Sequence, residues 1–202
     1  MANWFDRARA NGYVLGQRLV GGDRARADCL DGLELQAGDR ILDIGCGPAY
    51  YFGRLPDCEY FGFDTNAAQI SVAQADFGAR GRFFAEPYTA EHQRQFAPFD
   101  KVLLLGLLHH LNDADAHGLL QLVARSLKPG GRVVALDTPF YDGQSRLSRF
   151  LAKNDRGDYV RRPDEFQALA AASFEHVTSR LLGGTLLMPF AFFLMTLSGP
   201  RA

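Results

Sequence analysis

The stretch Arg40-Ile41-Leu42-Asp43-Ile44-Gly45-Cys46-Gly47-Pro48-Ala49, with Asp64 following Asp43 by 21 residues, constrains this chain more than any other feature. Arg40 to Ile44 is a short apolar run broken by one acid, the pattern of a buried parallel strand. Gly45 and Gly47 then allow the backbone to turn sharply and approach a ligand closely, which a Cβ would prevent. A second apolar run, Tyr60-Phe61-Gly62-Phe63, ends in Asp64. An acid at the end of the second strand is where a doubly wound sheet grips ribose hydroxyls. The expected ligand is therefore a nucleoside. A dinucleotide is disfavoured, because the third glycine of G-x-G-x-x-G would fall at Tyr50, whose ring would obstruct strand, helix and pyrophosphate. The phosphate cradle G-x-x-x-x-G-K-[ST] is absent.

Asp43-x-Gly45-x-Gly47-x-Ala49 resembles the first motif, D-x-G-x-G-x-G, of class I S-adenosylmethionine-dependent methyltransferases, with alanine in place of the last glycine. Phe83-Phe84-Ala85-Glu86 looks like that family's third strand and terminal acid. Phe99 to Leu111 looks like its fourth strand and following loop. Leu119 to Leu127 with Lys128-Pro129-Gly130-Gly131-Arg132 looks like the helix and turn entering the fifth strand, Arg132 to Leu136, which ends at Asp137. The ordered set covers residues 38 to 138. The resemblance implies an α/β fold, a doubly wound Rossmann-like seven-stranded sheet, mostly parallel with an antiparallel C-terminal strand. It implies S-adenosyl-L-methionine as cofactor and S-adenosyl-L-homocysteine as product. The implied cofactor residues are Asp43, Gly45, Cys46, Gly47, Asp64, Thr65, Glu86, Leu105 and Gly106. Among them Asp43 steadies the loop or the methionine ammonium, Asp64 accepts the ribose hydroxyls and Glu86 meets the adenine amine.

Methyl transfer from a sulfonium requires alignment of the nucleophile, exclusion of water and removal of a proton where the acceptor carries one. His109 and His110 follow the fourth strand, where such enzymes face the transferable methyl, and imidazole has a suitable pKa for a base. His110 is the preferred candidate, with Asp137 as its orienting carboxylate; the plain alternative is that an imidazole packs and satisfies backbone groups. His92, His117 and His176 have no such position. Tyr50 and Tyr51 follow the glycine loop, where an aromatic face could meet the sulfonium or simply fill the core. Arg156 and Arg161 are the substrate candidates within a charged run, Asp155 to Arg162, whose plainer reading is a solvated, salt-bridged loop. No cluster has metal-ligand spacing, so no metal site is expected.

The 202 residues fit one methyltransferase domain, with an N-terminal cap segment (1–22) and a substrate-side insertion (138–163) of low periodicity. Helices are expected over Asp23–Leu33, Asn66–Phe77 and Asp113–Leu127, the last capped by Asn112. A net charge of -1 leaves no electrostatic footprint for nucleic acid. Cys29, Cys46 and Cys58 are odd in number and read as reduced thiols of a cytoplasmic protein, and no signal peptide is seen. Leu181 to Leu197 is uncharged but spans 17 residues and is broken by Gly183, Gly184 and Pro189, whereas a spanning helix needs about 20. Two strands, Phe174–Leu182 and Leu186–Leu197, are expected instead of membrane insertion. The expected partner is a small-molecule acceptor methylated on O, N or C, with the chain a monomer or homodimer. The runner-up is a non-catalytic S-adenosylmethionine-binding partner protein.

Overall fold

The computed structural model describes residues 22–154, 157–183 and 191–201. Its spine is β1 (Arg40–Ile44), β2 (Glu59–Phe63), β3 (Gly81–Phe84), β4 (Phe99–Leu105), β5 (Leu127–Asp137), β6 (Phe174–Leu182) and β7 (Phe192–Pro200). They form one seven-stranded sheet in the order β3-β2-β1-β4-β5-β7-β6. Strands β1 to β5 pair in parallel, while β7 runs antiparallel to both β5 and β6. The expected fold class is thus observed.

Among the described residues six helices accompany this sheet: α1 (Gly22–Leu33), α2 (Ala67–Phe77), α3 (Ala90–Phe96), α4 (Asp113–Ser126), α5 (Arg146–Lys153) and α6 (Pro163–Ala171). Period-two alternation along the strands separates two apolar cores. Leu42, Phe61, Phe63 and Leu104 meet α4 and α6 through Leu120, Val123, Phe166 and Ala170. Ile41, Tyr60, Leu103 and Leu105 meet α1 and α2 through Cys29, Leu33, Ile70 and Ala73. Both faces of the sheet are therefore covered, which is why its central strands read as nearly continuous apolar runs.

Local sequence explains the helix starts. Asn66 accepts from the Ala68 and Gln69 amides at the head of α2, and Asn112 from the Asp115 amide at the head of α4. Helix α4 ends at Ser126, with Leu127 already in β5. Strand β5 begins earlier than Arg132 because Phe99 pairs with Leu127 ahead of the irregularity in register. Strand β6 occupies the expected residues, but β7 starts at Phe192 and runs to Pro200 rather than from Leu186 to Leu197. Leu186 and Pro189 lie outside the described residues. Among the described residues no helix is long and apolar enough to cross a membrane.

Three of these helices, α3, α5 and α6, were not expected from the sequence. In the insertion, α5 starts where Ser145 accepts from the Ser148 amide and buries only Ser148 and Ala152 fully. Leu147, Phe150 and Leu151 do lie at helical spacing, but Leu147 and Phe150 are left exposed, so the stripe does not coincide with the buried face. Helix α3 is set by a capping box between Thr89 and His92 and buries no residue completely. The proposed cap segment, except Gly22, lies outside the described residues.

Candidate active site

The chain leaves β1 for β2 on one side and returns through β4 on the other, so a crevice opens at the carboxyl ends of those strands. A cavity of about 900 Å³ occupies that place. The Gly45–Gly47 loop forms one wall, bent over the end of β2 because the Gly45 and Cys46 amides both donate to Phe63 O (2.7 and 3.1 Å). Gly47 has φ +56°, and a Cβ there would lie 2.8 Å from Gln69 Oε1. Gly45 and Gly47 both adopt left-handed backbone, which favours glycine at these two positions.

Asp64 ties this wall to the next element. Its Oδ2 accepts from the Gly47 amide (2.9 Å) and its Oδ1 from the Asn66 amide (2.8 Å), while the residue still lines the cavity. Thr65, Leu105 and Gly106 line it too, as does Glu86, two residues beyond β3. The imidazole of His92 lies 3.6 Å from Glu86 while also closing the α3 capping box. His92 is therefore not remote from the rim, as its place in the sequence suggests. His117 and His176 line no part of the cavity.

Of the two roles expected for Asp43, the structure fits the first, steadying the loop, and not contact with a ligand. Asp43 is fully buried beneath the loop and does not line the cavity. Its Oδ2 accepts from the hydroxyls of both Tyr51 and Tyr60, whereas Oδ1 has no hydrogen-bond partner. Burial raises its pKa from 3.8 to about 6 against the opposing effect of the tyrosines. Asp43 thus steadies the loop from below and is not positioned to meet a ligand's ammonium. Both tyrosines line the cavity: Tyr51 is buried and anchored by its bond to Asp43, and Tyr50 has the Arg26 guanidinium 5.3 Å above its ring. Cys46 also lines the cavity, but burial pushes its thiol well above the usual range, so it is not a nucleophile.

The two imidazoles of the histidine pair touch and share the cavity wall, but their surroundings differ. His109 is 4% exposed, and its Nδ1 and backbone N–H both meet Asp137 Oδ1, at 2.7 and 3.1 Å. His110 is exposed, although it also lines the cavity, with its ring 4.2 Å from that of His109. Asp137 therefore orients His109, not His110. The cause is the 3₁₀ turn Leu108–His110, which directs the first imidazole back across the end of β5.

Arg161 is likewise corrected. Only 6% exposed, it donates to Leu108 O (2.8 Å), Leu111 O (2.6 Å) and Asp113 Oδ1 (2.8 and 2.9 Å), and it does not line the cavity. A substrate would find it fully engaged. The solvated reading of the charged run fits Arg162 instead, which pairs with the exposed Asp142 at 2.8 Å. Arg156 lies outside the described residues.

Sequence reasoning missed Arg26, Thr138 and Phe192, which also line the cavity. Arg26 is 5% exposed, so α1 delivers a buried cation beside the glycine loop. No local motif marks it, because only the docking of α1 brings it there. Among the described residues there is no cluster of groups able to hold a metal ion.

Comparison with known proteins follows this geometry. The sequence model of a methyltransferase domain family matches residues 42–133, which carry the loop, Asp64, Glu86 and the histidine turn. Over this stretch, a little under half of its length, the chain is similar to methyltransferase domains, in keeping with the resemblance of its motifs. It is 35% identical over 114 residues to 27-O-demethylrifamycin SV methyltransferase of Amycolatopsis mediterranei, covering 52% of this chain and 40% of that one. It is 27% identical over 117 residues to tRNA U34 carboxymethyltransferase of Idiomarina loihiensis, covering 53% of this chain and 35% of the relative. The chain thus spans well under two thirds of either relative. Its fold resembles Haemonchus contortus phosphoethanolamine N-methyltransferase 2, solved with phosphomonomethylethanolamine and S-adenosylhomocysteine, with TM-score 0.73 and 15% identity. That match covers 99% of this chain and 60% of the other.

Proposed function

We propose that this methyltransferase binds S-adenosylmethionine in the cavity and transfers its methyl group to a small-molecule acceptor, with His109 as the base. The observation that carries this reading is the buried His109–Asp137 pair on the wall of the cavity that the glycine loop and Asp64 also line. The residues suit the cofactor: a loop that a Cβ would fill, a carboxylate at the end of β2 and a buried cation beside them.

Bound S-adenosylmethionine supplies an electrophilic methyl carbon on a sulfonium. Asp64 holds the ribose hydroxyls, Glu86 the adenine amine and Arg26 the methionine carboxylate, a charge-assisted pairing. Leu107, Leu119 and Phe192 keep water from the reacting atoms. Asp137 engages Nδ1 of His109 and sets the orientation of the ring that takes the acceptor's proton. A small acceptor is supported by the cavity of about 900 Å³ and by the absence of a basic excess, the net charge being -1.

Titration calorimetry with S-adenosylhomocysteine and NAD, followed by transfer of a labelled methyl to a panel of phenols, amines and activated carbon acids, tests the reading. Binding of S-adenosylhomocysteine alone, with label in an acceptor, is expected. Tight NAD binding without S-adenosylhomocysteine binding would overturn it. Cofactor binding with no transfer to small molecules or RNA would leave a binding protein.

A further inference from the structure

We propose that Gly157–Arg161 is a strap that sets the orientation of His109, with Arg161 as a positioning residue; the inference rests on the reading of His109 as the base. Three carbonyls of the histidine turn receive their donors from this one segment. Leu108 O and Leu111 O accept from Arg161, at 2.8 and 2.6 Å, and His109 O accepts from the Tyr159 amide at 3.0 Å. A turn of three residues has little hydrogen bonding of its own, so these bonds decide where it lies.

The strap also touches the ring. A Cβ at Gly157 would stand 2.1 Å from His109 Cδ2 and 2.8 Å from His109 O. Backbone at that point closes one edge of the imidazole, while Asp137 Oδ1 holds the opposite edge at Nδ1. Only glycine permits that approach.

The partner carboxylate is tied to the same strap. Arg161 O accepts from the Phe140 amide at 3.0 Å, three residues beyond Asp137. The guanidinium also reaches Asp113 at the head of α4. One buried residue thus holds the turn carrying the base and the following helix through its guanidinium, and the segment carrying the carboxylate through its backbone carbonyl. A planar fork with five donors can do this; an ammonium on a flexible stem cannot.

The test reads His109 directly, without needing an acceptor. Proton NMR of the wild-type protein should show a downfield line from the Nδ1 proton held by Asp137, absent in His109→Gln. Arg161→Met, Arg161→Lys and Gly157→Ala should each shift or abolish that line. Arg162→Met, which breaks an exposed pair in the same segment, should leave it. Affinity for S-adenosylhomocysteine should change by no more than about twofold, since the strap does not line the cofactor loop. Once an acceptor is known, turnover in the three strap variants should fall by about 10²-fold with little change in KM, as for a base displaced by about 1 Å. The proposal is overturned if folded Arg161→Met retains the wild-type line. If Arg161→Met does not fold, a wild-type line in Gly157→Ala overturns it. Full transfer by His109→Ala would refute the base, yet the line would still report whether the strap holds the ring.

Discussion

Asp43 invites a quantitative test, because two opposing effects act on one buried carboxylate. Tyr51 and Tyr60 donate to Oδ2 and favour the charged form, while burial favours the neutral one, and Oδ1 is left without a partner. Burial prevails, raising the pKa from 3.8 to about 6. In the folded state the group therefore binds a proton more readily than in the unfolded chain. Between about pH 4 and pH 6 the native state holds more protons, so stability falls as pH rises through that window. The displacement from 3.8 to about 6 corresponds to about 3 kcal/mol at about 1.4 kcal/mol per tenfold change in proton affinity. Asp43→Asn removes the titration but keeps an oxygen that the tyrosines can use. Urea unfolding of both proteins without ligand, from pH 4 to pH 8, isolates the effect, because other titrating groups cancel in the difference. The Asn variant should gain about 3 kcal/mol relative to wild type between pH 4 and pH 7. A difference curve that is flat, or that falls as pH rises, would mean that the two tyrosine bonds outweigh burial and the aspartate is an ordinary anion.

Asp64→Ala should weaken S-adenosylhomocysteine binding by about 2–4 kcal/mol in calorimetry, since it loses bonds to a charged group and frees the Gly47 amide. Arg26→Ala should weaken it by about 1.5–3 kcal/mol while leaving adenosine affinity unchanged, because adenosine lacks the carboxylate; an equal loss for both would remove Arg26 from that role. His109→Ala should lower turnover by about 10²–10⁴-fold and abolish the acidic limb of the rate profile, whereas His110→Ala should not. In Gly62→Ala the new Cβ would lie 2.9 Å from Cys46 Sγ and from the Tyr60 ring. Overpacking of that kind should cost about 1–3 kcal/mol in denaturant unfolding.

Information in the sequence was local. Apolar runs ending in Asp43 and Asp64, and glycines at 45 and 47, describe strands and a turn whose geometry each short segment enforces by itself. Strands alternating with helices leave few arrangements of a parallel sheet, so the architecture was legible before any contact was known. What tertiary structure decided was which side chains face the cavity. Asp43 turned inward because Tyr60, on the adjacent strand, and Tyr51 supply hydroxyls beneath the loop. Asp137 chose His109 over His110 because a 3₁₀ turn, held by a segment some fifty residues away, rotates the first imidazole across β5. Arg26 entered the site and Arg161 left it for the same reason. The burial of a charge depends on partners distant in sequence, and only the packed fold determines whether they are there.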